Sequence, residues 1–293
     1  MHQYLNAVGF SGLKNKKELL ELIKTVIKEP SNREFIETDK NSVICEYTKY
    51  FSPTTGITVR GEIDEDNELT LDFYYPVCRP YSISTNESIG IERFASNEYF
   101  AGICDDPRIG VTLIFDIPNS VDVMKRFAED SKDMEEKASV ELAGLSVNGM
   151  IMLPIKKDVS EKAKREKNAT NRNKLLMAAR NGDENAIESL TLDDIDTYAQ
   201  LSKKIRSEDV YSLVDSYFMP YGVECDLYSI MAEIVDHSLE KNEVSGEEIF
   251  ILSLDYNGMA LNISINKKDL LGEPMVGRRF KGTVLIQGKV NFS

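Results

Sequence analysis

Residues 250–265, FILSLDYNGMALNISI, decide the class of fold. The dipeptide Asn257-Gly258 tolerates the two positive φ angles of a two-residue type I′ turn, and such a turn fixes the register of the strands on either side. In that register Tyr256 faces Met259, Leu254 faces Leu261, Leu252 faces Ile263 and Phe250 faces Ile265. Four successive apolar pairs on one face predict an antiparallel hairpin with that face buried. The opposite face, with Ser253, Asp255, Asn262 and Ser264, is expected to be largely wet. Upstream, Tyr228, Ile230, Ala232 and Ile234 alternate as the inward side of a strand reaching about His237. Downstream, Phe280, Val284, Ile286, Val290 and Phe292 share one side of a last strand with Gly282 and Gly288, which permit a sharp bend. Long bent strands interrupted at 267–277 predict a small antiparallel β domain over 219–293, with a barrel of the OB type as its most specific form.

The upstream chain reads as α+β. Leu19, Leu20, Ile23, Val26 and Ile27 recur at helical spacing between a cap at Asn15 and a stop at Pro30. The period then changes to two in Val43–Tyr50, Ile57–Ile63 and Leu69–Tyr75, which predicts an antiparallel sheet. Two more strands are expected at Tyr99–Cys104 and Ile109–Ile117, a helix from Ser120, and a hairpin turning at Asn148-Gly149. The expected organisation is an α+β domain over 1–155, a helical segment over 156–218 and the β domain over 219–293. A length of 293 residues is long for one core, which favours such a division.

Charge and composition narrow the chemistry. The formal net charge of -14 repels polyanions and acidic membrane surfaces. It is unevenly spread: acidic residues prevail before residue 156 and over 183–255, whereas 156–180 and the final 38 residues are basic. Cys45, Cys78, Cys104 and Cys225 form no short-spaced pair, and His2 and His237 are the sole histidines, so neither a zinc site nor another metal or cofactor is expected. Asp236, His237 and Ser238 are adjacent in an extended chain and point to alternate faces, which rules out a triad. Phosphate-loop, dinucleotide and nucleophile-elbow motifs are absent from the sequence. The acidic run Glu62, Asp64, Glu65, Asp66 and Glu68 lacks the glycine of a calcium loop and reads as a hairpin tip. No catalytic residue is nominated.

An anion site has one preferred place, the outward face of the last strand. Arg279, Lys281, Gln287 and Lys289 lie there with Arg278 just before them, and arginine forks match phosphate or carboxylate; the other reading is that these cations pair with the acidic middle of the same chain. The leading expectation is a non-enzymatic protein that binds a protein partner or a small anionic ligand at the junction of its domains, where pockets form most readily. Nucleotide or nucleic-acid binding through the barrel is the alternative, and the acidic total weighs against it. A third reading is an enzyme whose cysteine or carboxylate pair is assembled only by the fold.

The opening MHQYLNAVGFSGL and the segments NKLLMAARNGDENAIESLTLDDIDTYAQLSKKI, DVYSLVDSYFMPYGVECDLYSIMAEI and INKKDLLGEPMVGRRFKGTVLIQGKV resemble a family of proteins of unknown function from clostridial Firmicutes. The resemblance extends over nearly the whole chain and implies a cytoplasmic bacterial protein. It carries no activity, substrate or site residues.

Overall fold

A computed structural model describes residues 3–38, 42–94, 99–129, 138–155, 174–175, 177–179, 182–192 and 214–292. The molecule is mostly β, with antiparallel sheets and few helices. A 3-10 turn at Gln3–Val8 precedes α1 (Lys16–Lys28), whose cap is the one the sequence predicts: Asn15 accepts the Glu18 amide at 3.0 Å. The first sheet runs β1 (Asn32–Glu37), β2 (Val43–Tyr50), β3 (Thr55–Ile63) and β4 (Leu69–Cys78), each paired antiparallel with the next. The acidic run is the β3–β4 turn, with Asn67 at positive φ and the Asp64 carboxylate accepting the Glu68 amide.

The second sheet has ten strands. Its outer arm is β5 (Ile89–Phe94), β6 (Tyr99–Cys104) and β7 (Leu113–Asp116), after which comes α2 (Ser120–Glu129). The rest is β8 (Ala138–Met152), β9 (Tyr217–Pro220), β10 (Leu227–Lys241), β11 (Glu248–Tyr256), β12 (Met259–Asn266), the short β13 (Leu270–Leu271) and β14 (Arg279–Phe292). β10, β11 and β12 form a meander whose β11–β12 register is the one read from Asn257-Gly258, Tyr256 opposite Met259 through Phe250 opposite Ile265. β14 pairs antiparallel with β10, and β8 pairs antiparallel with β14 and parallel with β12. Five strands, β8-β12-β11-β10-β14, therefore close into a ring. Inside it lie Tyr228, Ile230, Ile234, Leu252, Ile263, Phe280 and Ile286, all essentially free of solvent.

Two expectations are corrected here. Asn148-Gly149 is not a turn but part of β8, and Gly149 lies opposite Gly282. The two glycines vacate the space taken by the Phe280 ring: a Cβ on Gly149 would stand 2.5 Å from Phe280, and one on Gly282 the same. The hairpin's second face is not largely wet, because the N-terminal turn and the loop after β4 lie across it. Ser264 donates to the Ala7 carbonyl at 2.5 Å and Asn262 accepts the Tyr81 amide at 3.1 Å, so both are buried although Asp255 remains exposed. β8, before residue 155, belongs to the same ring as β10–β14 after it.

A second core lies outside the ring. Leu145, Leu227 and Leu285 on the ring's outer surface pack with Val8, Leu22, Val26, Tyr47, Phe51 and Val59, which joins the four-stranded sheet, α1 and the N-terminal turn to the ring. Residues 184–192 are helical, within the segment 156–218 that is expected to be so; most of the basic stretch 156–180, and residues 193–213, lie outside the described residues. Among the described residues no helix is long and apolar enough to cross a membrane. Gly149→Ala should lower unfolding free energy by about 1–3 kcal/mol, the usual cost of overpacking a filled site, as read from the urea midpoint. Gly258→Ala, whose Cβ would meet nothing, should cost less and act only through its positive φ.

Candidate functional site

The strand alternation that builds the first sheet gives it two unlike faces. Cys45, Tyr47, Ile57 and Val59 point into the second core. Glu34, Glu46, Thr48, Tyr50 and Thr58 point the other way, toward the start of α2 and the ends of β8 and β14. Between the two surfaces is a polar cleft of about 540 Å³.

Its acidic end is organised by a cross-strand pair. Glu46 on β2 stands opposite Arg60 on β3, and both are buried. The Ser120 hydroxyl donates to the Glu46 carboxylate and accepts from Arg60 Nη1 at 3.0 Å, and the Val121 amide reaches the same carboxylate at 3.4 Å. Glu46 thus sits on the N-terminus of α2, where the helix dipole favours a negative charge. Burial still raises its pKa, against the opposing pull of Ser120 and Arg60. Glu34 pairs with Lys125 at 2.5 Å, and Asp122 accepts from the Asn119 amide at 3.4 Å. Asn119 also exchanges two hydrogen bonds with the Val290 backbone, at 2.8 and 3.2 Å, and so pins α2 to β14.

Across the middle, Thr48 and Thr58 share a 2.8 Å hydroxyl contact. At the far end the Arg79 guanidinium lies 4.0 Å over the Tyr50 ring, a cation–π geometry. Lys289 lines the cleft from β14 and stands 3.9 Å from Glu141 on β8.

The five residues nominated on the last strand do not form one site. Arg279 and Lys289 are ten residues apart on an extended strand, about 33 Å. Arg278 donates to the Glu273 carbonyl at 2.8 Å and closes its own loop. Arg279 is buried and donates to the carbonyls of Leu153 and Val214, at 2.9 and 2.7 Å, holding together the two ends of segment 154–213. Lys281 is half-buried beside Met150 and Met231 in register. Gln287 is buried: its amide donates to the Pro76 carbonyl at 2.9 Å and its oxygen accepts the Cys78 amide at 3.3 Å, stitching β4 to β14. Only Lys289 reaches the cleft. The outward direction of Gln287 was legible from the alternation, but the four-stranded sheet lies against that face and dries it.

Sequence reasoning missed Arg79, Asp122, Tyr50 and the Glu46–Arg60 pair. The available signal was the row Glu46, Thr48, Tyr50 on alternate positions of β2, which reads equally well as a solvated face. It also missed a pair of carboxyl groups that the fold assembles: the pKa of Asp116 at the end of β7 is raised well above the usual carboxylate range, by burial first and then by the charge of Asp226 and the hydrogen bond to it. Neither lines the cleft. Burial pushes the Cys45 thiol up, and the Cys104 thiol to about 12, while Cys78, at the cleft wall, is also raised. These are poor nucleophiles at neutral pH.

The family model described as "Domain of unknown function, E. rectale Gene description" (DUF3881) matches residues 5–288. The chain belongs to this family. No curated protein and no solved structure matches the DUF3881 chain.

Two outcomes follow from the buried charges. Truncating Glu46 to Ala removes the carboxylate that faces buried Arg60 across the sheet, so unfolding free energy should fall by about 3–5 kcal/mol, and the double replacement Glu46→Leu with Arg60→Met should recover most of it. Because the Asp116 pKa is raised on folding, its share of stability is complete below the unfolded value of 3.8 and is lost as pH rises toward the native value. Asp116→Asn should flatten that part of the profile and gain stability at neutral pH, measured by urea unfolding from pH 4 to 8.

Proposed function

We infer that this DUF3881 protein is a non-enzymatic, cytoplasmic binding protein whose site is the cleft between the four-stranded sheet and the ring. An anionic group of a small ligand rests on Arg79, in the cleft that Lys289 also lines. The observation that carries this reading is Arg79 itself. Among the described residues its guanidinium stacks on Tyr50 yet donates to no carboxylate or carbonyl, so its fork is positioned and its donors are open. The volume of the cleft suits a small molecule. Binding is favoured over catalysis because Glu46 faces Arg60, Glu34 pairs with Lys125 and the pKa of the cleft thiol, Cys78, is raised.

A second reading rests on the closed ring. Its connectivity has the pattern of an OB barrel cut between its fourth and fifth strands: β10-β11-β12 supply the three-stranded meander, β14 the fourth strand antiparallel to β10, and β8 the fifth, parallel to β12. An OB-like barrel would make nucleotide or single-strand binding through Arg278 and Lys281 the alternative function. Against it, the N-terminal turn covers part of the β12 face.

Thermal-shift measurement at low salt against small carboxylates and phosphates should find a ligand whose shift is lost in Arg79→Ala and reduced in Lys289→Ala. A shift indifferent to Arg79→Ala rejects the cleft. Oligonucleotide affinity that falls steeply with salt and disappears on charge reversal at Arg278 and Lys281 would favour the barrel instead.

A further inference from the structure

The charges of the cleft can be paired off. Arg60 is matched by Glu46 across the sheet, Lys125 by Glu34 at 2.5 Å and Lys289 by Glu141 at 3.9 Å. Two charges are left over. Arg79 has its ring contact alone, and Asp122 has the 3.4 Å hydrogen bond from Asn119 but no cation within ion-pair distance among the described residues. They lie at opposite ends. Asp122 acts electrostatically on Glu46, whereas Arg79 sits over Tyr50, and Glu46 and Tyr50 are four residues apart on β2, about 13 Å. Between them the floor is neutral and hydrogen-bonding, with Thr48, Thr58 and Asn32.

A simple anion satisfies one end of this arrangement and meets the carboxylates at the other. A free amino acid carries both charges but is too short to engage both ends. An extended dipeptide or tripeptide spans about 7 or 10 Å, shorter than the roughly 13 Å of β2 between Glu46 and Tyr50 by about the reach of the side chains at its two ends. We propose that the cleft binds a short peptide with free termini, its C-terminal carboxylate on Arg79 and its N-terminal ammonium on Asp122. Its backbone then runs over the threonine row, where hydroxyls supply hydrogen bonds without reading side chains. The proposal rests on the reading of the cleft as an anion site and adds the ligand class.

Calorimetry with zwitterionic trialanine, its N-acetylated form and its C-terminal amide tests it. Trialanine should bind, and each blocked form should bind at least tenfold more weakly. Asp122→Asn should weaken trialanine and abolish the penalty for N-acetylation while keeping the penalty for the amide. Arg79→Gln should do the reverse. Circular dichroism and thermal midpoints of the variants show whether each is folded, and the crossed pattern of penalties cannot arise from unfolding. If acetylated and free trialanine bind equally while Arg79→Gln still weakens both, the dipolar ligand is wrong and the anion site stands. If no peptide binds but inorganic phosphate or acetate binds through Arg79, the ligand class is again overturned. If Arg79→Gln changes the binding of no probe, both readings fall.

Discussion

β8 is hydrogen-bonded on both edges, and the rest of the molecule depends on that. Its full length pairs with β14, and its middle, Ala143–Ser146, also pairs with β12. A strand bonded on one side only would leave an open sheet with exposed edges. Bonded on both, it closes the ring, gives Phe280 an interior to fill and makes every side chain of β14 point either into the barrel or onto whatever lies outside. The alternation along β14 is then forced. Val284 and Ile286 go in, and Leu285 and Gln287 go out, where the four-stranded sheet meets them.

The cleft is a consequence of that second contact. The four-stranded sheet has one apolar face and packs it on α1, the N-terminal turn and the outside of the ring. Its polar face is left to look across at α2 and the ends of β8 and β14. Burying Glu46 and Arg60 there is costly unless both are hydrogen-bonded, and Ser120 and the α2 N-terminus meet that requirement. The same pair fixes α2 on the sheet, and Asn119 fixes α2 on β14, so the walls are tied at the acidic end. Gln287 ties them near the other, between β4 and β14. A cleft braced at both ends is preorganised, which lowers the ordering cost of binding.

Whether a residue is structural or available for a ligand was decided by what covers it. Arg279 and Gln287 look like surface residues in a sequence because they alternate with core positions. In the fold, the returning ends of segment 154–213 take up Arg279, and β4 takes up Gln287. Arg79, in a loop between Cys78 and Pro80 with no pattern around it, keeps its donors open among the described residues. The Asn148-Gly149 dipeptide failed as a turn signal for a related reason. Glycine is required there by a ring from a distant strand and not by the local backbone.

The sequence by itself determined the elements whose causes are local. These are the Asn257-Gly258 hairpin with its four apolar pairs, the capped helix α1, the alternating strands β2, β3 and β4, the acidic turn and membership of DUF3881. Turn chemistry, capping and periodicity act over a few residues and leave a readable pattern. Only the tertiary structure decided that β8 joins the C-terminal strands, that Arg279 and Gln287 on the outward face of β14 are buried, and that Arg79 and Asp122 face a common cleft. Those facts depend on pairings and contacts between residues far apart in the chain, and one sequence contains no local trace of which distant surface will lie against which.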